Sequence, residues 1–308
     1  MSMRLDDTVQ GAVIDPSALI ATRFLARHIN VTRSTRALAH LAGAKRSARR
    51  GRGVEFEEVR QYAAGDDVRA IDWRVTARSG EPHTKLFHEE RERPVLTTVD
   101  LRQSMLFGSR NCFKSVLAAH VATTVLWSAL ERGERIGAMV YGGAEVLDVR
   151  PARSRRSVLK LIGDIQTVSS KSARSDTDIS FAEHLGQLQR IARPGSSVFL
   201  ISDFHDADAP DALENLRRLV RHVQITAIAI SDPLEHDLPT AGRYVVTDAQ
   251  GRSALDTASE AARRKYHDEF ASQRKALAQQ LQSLRIPLIE LSTAQPFLPI
   301  LQRYFPGR

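Results

Sequence analysis

The chain has 308 residues, of which 42% are hydrophobic and 26% are charged, and it carries a formal net charge of +8 at pH 7. This length allows one large domain or two modest ones, and the apolar content is sufficient for a folded core. A single cysteine, Cys112, excludes an internal disulfide framework and a cysteine-based zinc site.

Hydropathy and charge set limits on location and partners. The longest uncharged run, residues 115–130, contains His120 and two threonines, and it is short and polar for a membrane span. We therefore predict a buried helix there and no transmembrane segment. The N-terminal residues have no apolar signal core, so we expect a cytoplasmic protein. The positive charge is spread along the chain, and net charge alone does not define a partner.

Residues 1–50 form the first predicted segment, which is helical and then basic. Apolar residues at helical spacing predict a helix over Pro16–Ile29 and a second over Thr35–Lys45. A basic patch follows, formed by Lys45, Arg46, Arg49, Arg50 and Arg52. It is either a phosphate-binding surface or a linker. No aromatic residues are interleaved for base stacking, so we favour a linker or docking surface and do not expect a nucleic-acid partner.

From Pro94 onward, short apolar strands alternate with longer helical patterns. The predicted strands are 95–99, 136–141, 145–149, 198–202, 225–230 and 287–291, with a short edge strand at 244–247. The predicted helices are 113–131, 154–168, 179–192, 212–222 and 258–284. This alternation predicts an α/β domain over residues 94–308, with a mainly parallel central sheet flanked by helices.

Two of the predicted strands are followed directly by an acid, Asp100 and Asp203. In a doubly wound sheet of order 3-2-1-4-5-6, strands 1 and 4 are neighbours, and ligands bind at their carboxyl ends. If 95–99 is strand 1 and 198–202 is strand 4, the two acids face one another. Ser104 and the Thr177-Asp178 loop could join them. These side chains suit Mg²⁺, although strand-end acids also simply cap helices.

Residues 51–108 resemble a bacterial family catalogued as domain of unknown function 58, and the rest of the chain resembles a von Willebrand factor A-like domain. The pieces that carry the first resemblance are Gly51-Arg52-Gly53, Arg60-Gln61-Tyr62, Gly65-Asp66-Asp67, Ile71-Asp72-Trp73 and Glu89 to Arg93. The resemblance implies a Rossmann-like domain preceded by a signature segment over residues 51–93. It also implies a metal-ion-dependent adhesion site with the motif Asp-x-Ser-x-Ser, a Thr and a later Asp.

This chain departs from the adhesion motif at one position. Asp100 matches the first motif residue and Ser104 the third, while Thr177 and Asp203 match the remaining two. The second position holds Arg102 rather than Ser. A guanidinium has no lone pair for a metal and stays charged. We therefore predict a degenerate site in which Arg102 pairs with Asp100 or Asp203 and replaces the cation, with no cofactor or at most weakly bound Mg²⁺.

The charged signature segment is either an ion-paired wrap, anchored on the sheet by Phe56, Tyr62, Ile71 and Trp73, or a face that docks a partner. The docking candidates are Arg60, Asp66, Asp67, Arg69, Asp72, Trp73 and Arg78. Family members are often encoded beside MoxR-type AAA+ ATPases. The resemblance thus implies a noncatalytic adaptor that works with such an ATPase on a target protein, here without the N-terminal apolar spans of membrane-anchored members.

Two catalytic functions stand against this noncatalytic role. The chain has no GxxxxGK[ST] loop, so ATP hydrolysis by this chain itself is not expected. The alternative is a metal-dependent phosphohydrolase or nuclease that uses Asp100 and Asp203. An aspartyl-phosphate mechanism needs a second acid two residues after the first, and Arg102 stands there. The sequence leaves the oligomeric state open.

Overall fold

The computed structural model describes residues 8–32, 55–63, 66, 68–88, 93–247 and 252–307. The chain divides into two compact units, one formed by residues 1–44 and 93–308 and the other by residues 45–92. The predicted helix over Thr35–Lys45 and the basic patch at residues 45–52 lie outside the described residues.

The larger unit, called the sheet unit, alternates strands and helices as predicted. Its strands are β3 (Val95–Asp100), β4 (Ile136–Gly142), β5 (Glu145–Ala152), β6 (Ser197–Ser202), β7 (Gln224–Ser231), β8 (Arg243–Thr247), β9 (Arg252–Asp256) and β10 (Leu288–Ser292). Its helices are α1 (Pro16–Ala21), α2 (Arg23–Ala26), α4 (Lys114–Glu131), α5 (Arg155–Ser172), α6 (Phe181–Ile191), α7 (Pro210–Leu219), α8 (Pro233–His236), α9 (Glu260–Ser283) and α10 (Phe297–Tyr304).

The central sheet has six strands in the order β10-β7-β6-β3-β4-β5. Every neighbouring pair is parallel except β4 and β5, which form an antiparallel hairpin. Counted from β3 as the first strand, this is the doubly wound order 3-2-1-4-5-6. The predicted fold class, a mainly parallel sheet flanked by helices, is confirmed.

Helices cover both faces of this sheet. One cluster of buried apolar side chains joins β3, β4 and β6 to α4, α5 and α10, and the second joins the opposite sheet face to α6, α7 and α9. Strands β3 and β6 are buried along their whole length. Burial on both sides explains why they read as continuous apolar runs rather than alternating patterns. No helix among the described residues is both long and apolar enough to cross a bilayer.

Residues 8–32 belong to this core, although the sequence predicted residues 1–50 as a segment apart. Leu19, Leu25 and Ile29 are fully or almost fully buried within the first apolar cluster. The single helix predicted over Pro16–Ile29 is interrupted at Thr22, whose hydroxyl donates to the Leu19 carbonyl and contacts the Thr123 hydroxyl of α4. Two short helices replace one long helix because this buried hydroxyl finds its partners there.

Three further elements differ from the sequence predictions. The strand predicted at 244–247 is not an edge of the main sheet, since β8 pairs antiparallel with the unexpected β9 in a separate hairpin. Helix α10 was not predicted, although Phe297, Leu298 and Leu301 on it are buried.

Gly142 and Gly143 stand at the turn between β4 and β5. Gly142 is required there because a Cβ would lie 2.6 Å from the Leu101 carbonyl oxygen.

The smaller unit contains an antiparallel pair, β1 (Glu55–Gln61) and β2 (His83–His88), and a helix, α3 (Trp73–Ser79). Asp72 begins α3 by accepting hydrogen bonds from the backbone N–H groups of Arg74 and Val75. Gly80 ends α3 in the left-handed conformation, with φ of 77°. Neither the helix nor the second strand was predicted from the sequence.

Candidate functional site

Asp100 and Asp203 lie at the same edge of the central sheet. Asp100 is the last residue of β3, and Asp203 directly follows β6. The two strands are hydrogen-bonded neighbours with Val99 opposite Ile201, so both acids emerge at the carboxyl ends of adjacent parallel strands. This edge is where ligands bind in open α/β sheets. The acids are buried, and each is paired with a different cation.

Arg102 pairs with Asp100. Its Nε lies 3.1 Å from Oδ1 of Asp100 and its Nη2 lies 2.9 Å from Oδ2, while its backbone N–H also donates to Oδ1. Asp100 is completely buried and Arg102 is 5% exposed. The backbone bond folds residues 100–102 into a turn that points the guanidinium back at the carboxylate. Arg102 does not pair with Asp203, the other partner considered from the sequence.

The far side of the guanidinium contacts Asp206, which the sequence did not assign to the site. Nη1 of Arg102 donates to Oδ1 of Asp206 at 2.7 Å, and Oδ2 of Asp206 accepts the backbone N–H of Phe181 at 2.8 Å. Phe181 is the first residue of α6, where backbone N–H groups have no helical partner and negative charge is favourable. Asp206 therefore ties Arg102 to the start of α6.

Ser202 connects the two acid-bearing loops. Its hydroxyl donates to Oδ2 of Asp100 at 2.7 Å and accepts the backbone N–H of Phe204 at 2.8 Å. Phe204 has φ of 62°, in the left-handed region that non-glycine residues rarely adopt. Its ring packs edge-on against Phe181, with the ring centroids 5.5 Å apart. These contacts hold a strained residue at the end of β6, and strain of this kind concentrates at functional sites.

Lys114 pairs with Asp203. Its Nζ lies 2.9 Å from Oδ2 of Asp203 and also donates to Oε1 of Glu235 in α8, the short helix that follows β7. Lys114 is 1% exposed, although it is the first residue of α4. A cation is unfavourable at a helix N-terminus, so the two carboxylates must stabilise it there. The only sequence signal was one lysine at the start of a helix whose next sixteen residues are uncharged.

The pKa shifts follow from burial and from these pairs. Burial raises the pKa of Asp100 above its ordinary value, against the opposing effect of Arg102. Burial would also raise the pKa of Asp203, but Lys114 outweighs it and the pKa is lowered. Burial would lower the pKa of Lys114, and the charges of Asp203 and Glu235 raise it instead. Among the described residues, the groups within hydrogen-bond distance of the Asp100 carboxylate are donors from Arg102 and Ser202. These donors favour the ionised carboxylate.

The other two predicted motif residues, Ser104 and Thr177, have different outcomes. A hydrogen bond from Ser104 contributes to the lowered pKa of Asp203, so Ser104 lies at the site. Thr177 is exposed, and no hydrogen bond of its hydroxyl is found in the described part of the chain. The adjacent Asp178 instead joins this loop to the site, accepting the backbone N–H groups of Gln103 and Gly143. Of the two loop residues named from the sequence, Asp178 rather than Thr177 makes these contacts.

This arrangement does not fit a divalent cation. Such an ion needs several oxygen ligands with free lone pairs around an open position. Both oxygens of Asp100 accept hydrogen bonds from Arg102, and Lys114 holds Asp203. Within the described ranges, no group of three or more His, Cys, Asp or Glu side chains could hold a metal ion. Two buried cationic side chains already supply the positive charge that the adhesion motif assigns to the metal.

An aromatic stack lies beside Arg102. The guanidinium carbon is 5.5 Å from the ring centroid of Tyr141, and the Tyr141 ring stacks on His184 with centroids 3.7 Å apart. His184 is fully buried, and neither of its ring nitrogens has a hydrogen-bond partner among the described residues. Burial lowers the pKa of His184 to about 3, with Arg102 contributing, so the ring is neutral at pH 7.

Replacing His184 with phenylalanine should stabilise the protein, because buried unsatisfied polar atoms are removed while the stack is kept. We expect His184→Phe to increase the free energy of unfolding by about 1 kcal/mol at pH 7. Below the unfolded-state pKa of about 6.5, the unfolded chain binds a proton at His184 while the buried ring stays neutral. The unmodified protein therefore loses stability as pH falls below 6.5. The variant should thus lose less stability between pH 6.5 and pH 4. Urea unfolding at several pH values tests this, and an unchanged pH dependence would contradict it.

The docking candidates of the smaller unit fall into two groups. Asp66 accepts hydrogen bonds from Arg60 and from the Ala63 backbone N–H, and Asp72 caps α3, so these acids stabilise local structure. By contrast, Arg69, Trp73 and Arg78 are exposed, with Trp73 at 70%. Trp73 is therefore not the buried anchor considered for it. Asp67 lies outside the described residues, as do the basic patch residues.

Comparisons with known proteins found similar sequences and similar solved structures. Proteins from Mycobacterium bovis and Mycobacterium tuberculosis, each named only as uncharacterized, are 29% identical over 262 residues, covering 84% of this chain and 80% of theirs. Among solved structures, the protein BatB from Bacteroides thetaiotaomicron is 15% identical with a TM-score of 0.37, over 62% of this chain and 98% of that one.

Two further structures were found at similar levels. An aerotolerance-related membrane protein from Bacteroides fragilis is 15% identical with a TM-score of 0.36, over 62% of this chain and 99% of that one. A von Willebrand factor type A protein from Catenulispora acidiphila is 16% identical with a TM-score of 0.35, over 48% and 35%. These TM-scores are too low to support an argument about the fold, which is defined by the strand order of the central sheet. The sequence model described as "Protein of unknown function DUF58" matches residues 58–276, and the chain belongs to this family.

Proposed function

We propose that this protein is a noncatalytic protein-interaction module with a degenerate adhesion site. One observation carries the proposal: both acids at the ligand-binding edge are engaged by buried cations, Asp100 by Arg102 and Asp203 by Lys114. A nucleophile or metal ligand needs an available lone pair, and this cluster leaves little of either acid available. The cluster instead fixes the loops after β3 and β6 in one conformation, as suits a binding surface that needs no metal.

The partner that we propose is a MoxR-type AAA+ ATPase, with the protein acting as its adaptor toward a target. The support is the family resemblance together with the exposed surface of the smaller unit. Trp73 is 70% exposed and Val68 is 62% exposed, with Arg69 and Arg78 exposed on the same short stretch. Tryptophan and arginine dominate the binding energy of many protein interfaces, so this stretch suits a docking face.

The direct test is binding to the purified MoxR-type ATPase encoded in the same genome. We expect complex formation without added metal, and about 30-fold weaker binding by Trp73→Ala, as for an interface hot spot. Phe24→Ala is the matched control, since Phe24 is an exposed aromatic residue of the sheet unit. Calorimetry gives the affinities. Absence of binding, or an equal loss in both variants, would contradict the proposal.

The alternative, a metal-dependent phosphohydrolase or nuclease, predicts a different result. Phosphatase or nuclease turnover with added Mg²⁺ or Mn²⁺, abolished in Asp100→Ala, would favour it over the adaptor. The pairing of Asp100 with Arg102 argues against this alternative, because the carboxylate would have to release the guanidinium before it could act.

A further inference from the structure

A second concave surface lies at the opposite, amino-terminal edge of the central sheet. It is a cleft of about 480 Å³ between β5 and α6, which we call the arginine cleft. Its lining includes Pro94 just before β3, Arg135 just before β4 and Arg193 between α6 and β6, which places it at the starts of these parallel strands. All of its lining residues belong to the sheet unit. The volume lies in the range of binding pockets rather than of packing defects.

Four arginines and one acid are the charged residues that line the arginine cleft. Arg135 is held in the wall, because its Nη2 donates to the Pro151 carbonyl at 2.9 Å. Arg150, Arg190 and Arg193 are exposed, and none of them makes an ion pair with any described residue. The acid is Asp148. Three guanidinium groups that face a concave surface without carboxylate partners form a site for anions, since each binds a carboxylate in two parallel hydrogen bonds.

The floor of the arginine cleft is apolar. It is formed by Met139 of β4, Val146 of β5 and Ile191 of α6. The cleft lies beside β5, the edge strand of the sheet. An occupant should therefore combine negative charges with an apolar group, which a simple inorganic anion does not.

The edge strand also sets the spacing of the arginine cleft. Val146, Asp148 and Arg150 all line it and alternate along β5. Alternate residues of a strand point to one face and repeat every 6.5 to 7 Å or so. An extended peptide has the same repeat, so every second side chain of a bound peptide would face the cleft, and acidic and apolar groups both have to lie among those residues.

From this charge, floor and spacing, we infer that the arginine cleft binds an extended acidic segment of a partner protein, with its carboxylates on Arg150, Arg190 and Arg193 and an apolar side chain on the floor. This surface is distinct from the Asp100 cluster and is at the other edge of the sheet. The inference therefore stands or falls independently of the function proposed above.

Fluorescence anisotropy tests this inference with a labelled six-residue peptide in which residues one, three and five are glutamate, leucine and glutamate and the others are serine, so that the extended form presents acids and leucine on one face. We expect Arg150→Glu and Arg190→Glu each to weaken binding about tenfold, and the double variant to abolish it, because attraction becomes repulsion. Arg217→Glu is the matched control, since it makes the same charge change at an exposed position on α7. It should bind as the unmodified protein does. All three substituted positions are exposed, and thermal unfolding should confirm intact folding.

Two peptide controls examine the chemistry of the occupant. A peptide with glutamine in place of glutamate should bind at least tenfold more weakly, and so should one with serine in place of leucine. Equal binding of the glutamine peptide, or an equal loss in Arg217→Glu, would overturn the inference. Displacement of the peptide by ATP or inorganic phosphate at matching concentration would also overturn it, and would assign the cleft to a phosphate ligand.

Discussion

Lys114→Met should lower the free energy of unfolding by about 3–5 kcal/mol at pH 7, because it leaves Asp203 buried without its cation. The lysine and the aspartate are almost completely buried, whereas the Glu235 side chain is 21% exposed and can turn toward water. Asp203 therefore accounts for most of the loss. Urea unfolding of the variant and of the unmodified protein measures it.

The pH dependence of this variant distinguishes a charge effect from lost packing. In the unmodified protein the pKa of Asp203 is lowered, so its contribution is present above the unfolded pKa of about 3.9 and is lost as pH falls through the folded pKa. Without Lys114, burial raises that pKa, and the acid becomes protonated as pH falls. The difference between variant and unmodified protein should shrink toward pH 4.

Two controls make this prediction specific. The double variant Lys114→Met with Asp203→Asn should recover most of the loss, because no buried charge remains. Lys171→Met removes a surface ion pair with Glu145 whose side chains are 54% and 36% exposed, and it should change stability by less than about 1 kcal/mol. A loss that is independent of pH and is not rescued by Asp203→Asn would mean that Lys114 acts by packing alone.

The sequence predicts the frame of the site because the frame depends on local patterns. Uninterrupted apolar runs define β3 and β6, and the doubly wound order 3-2-1-4-5-6, assumed from the alternation of strands with helices, places these two strands side by side. Asp100 and Asp203 follow those runs directly, so their common edge can be predicted from the order of the sheet. Arg102 could also be predicted, because it replaces a serine in a motif of fixed spacing.

The partners of these acids could not be predicted in the same way, since they come from distant parts of the chain. Lys114 reaches Asp203 across 89 residues, and Arg102 reaches Asp206 across 104. A charged residue at a helix start reads as exposed until the fold brings carboxylates to it. The positive φ of Phe204 likewise has no sequence signal, because it results from packing around the site.

Arg102→Ser should convert the cluster into a metal site. The change completes the Asp-x-Ser-x-Ser motif over residues 100–104 and removes the guanidinium from both oxygens of Asp100, which keep their bonds from the residue-102 backbone and from Ser202. Without metal, the variant should be less stable than the unmodified protein, because a buried carboxylate has lost its cation. Mg²⁺ at a hundredfold excess over its dissociation constant should restore about 2.7 kcal/mol, the linkage expected for binding to the folded state alone.

Thermal unfolding with and without MgCl₂ measures this rescue. The matched control is Arg102→Ser combined with Asp100→Asn, which lacks the carboxylate that the metal needs and should show no response. A rescue of equal size in the control would show that the ion binds elsewhere. The absence of rescue in Arg102→Ser alone would mean that the loops cannot accommodate the ion even when the guanidinium is removed.

Isothermal titration calorimetry of the unmodified protein with Mg²⁺, run beside Arg102→Ser, is the most direct measurement of all. If Arg102 supplies the charge that a metal would otherwise supply, the unmodified protein should give no binding heat and the variant should give a saturable one. Tight Mg²⁺ binding by the unmodified protein would show instead that Arg102 yields its position to the ion.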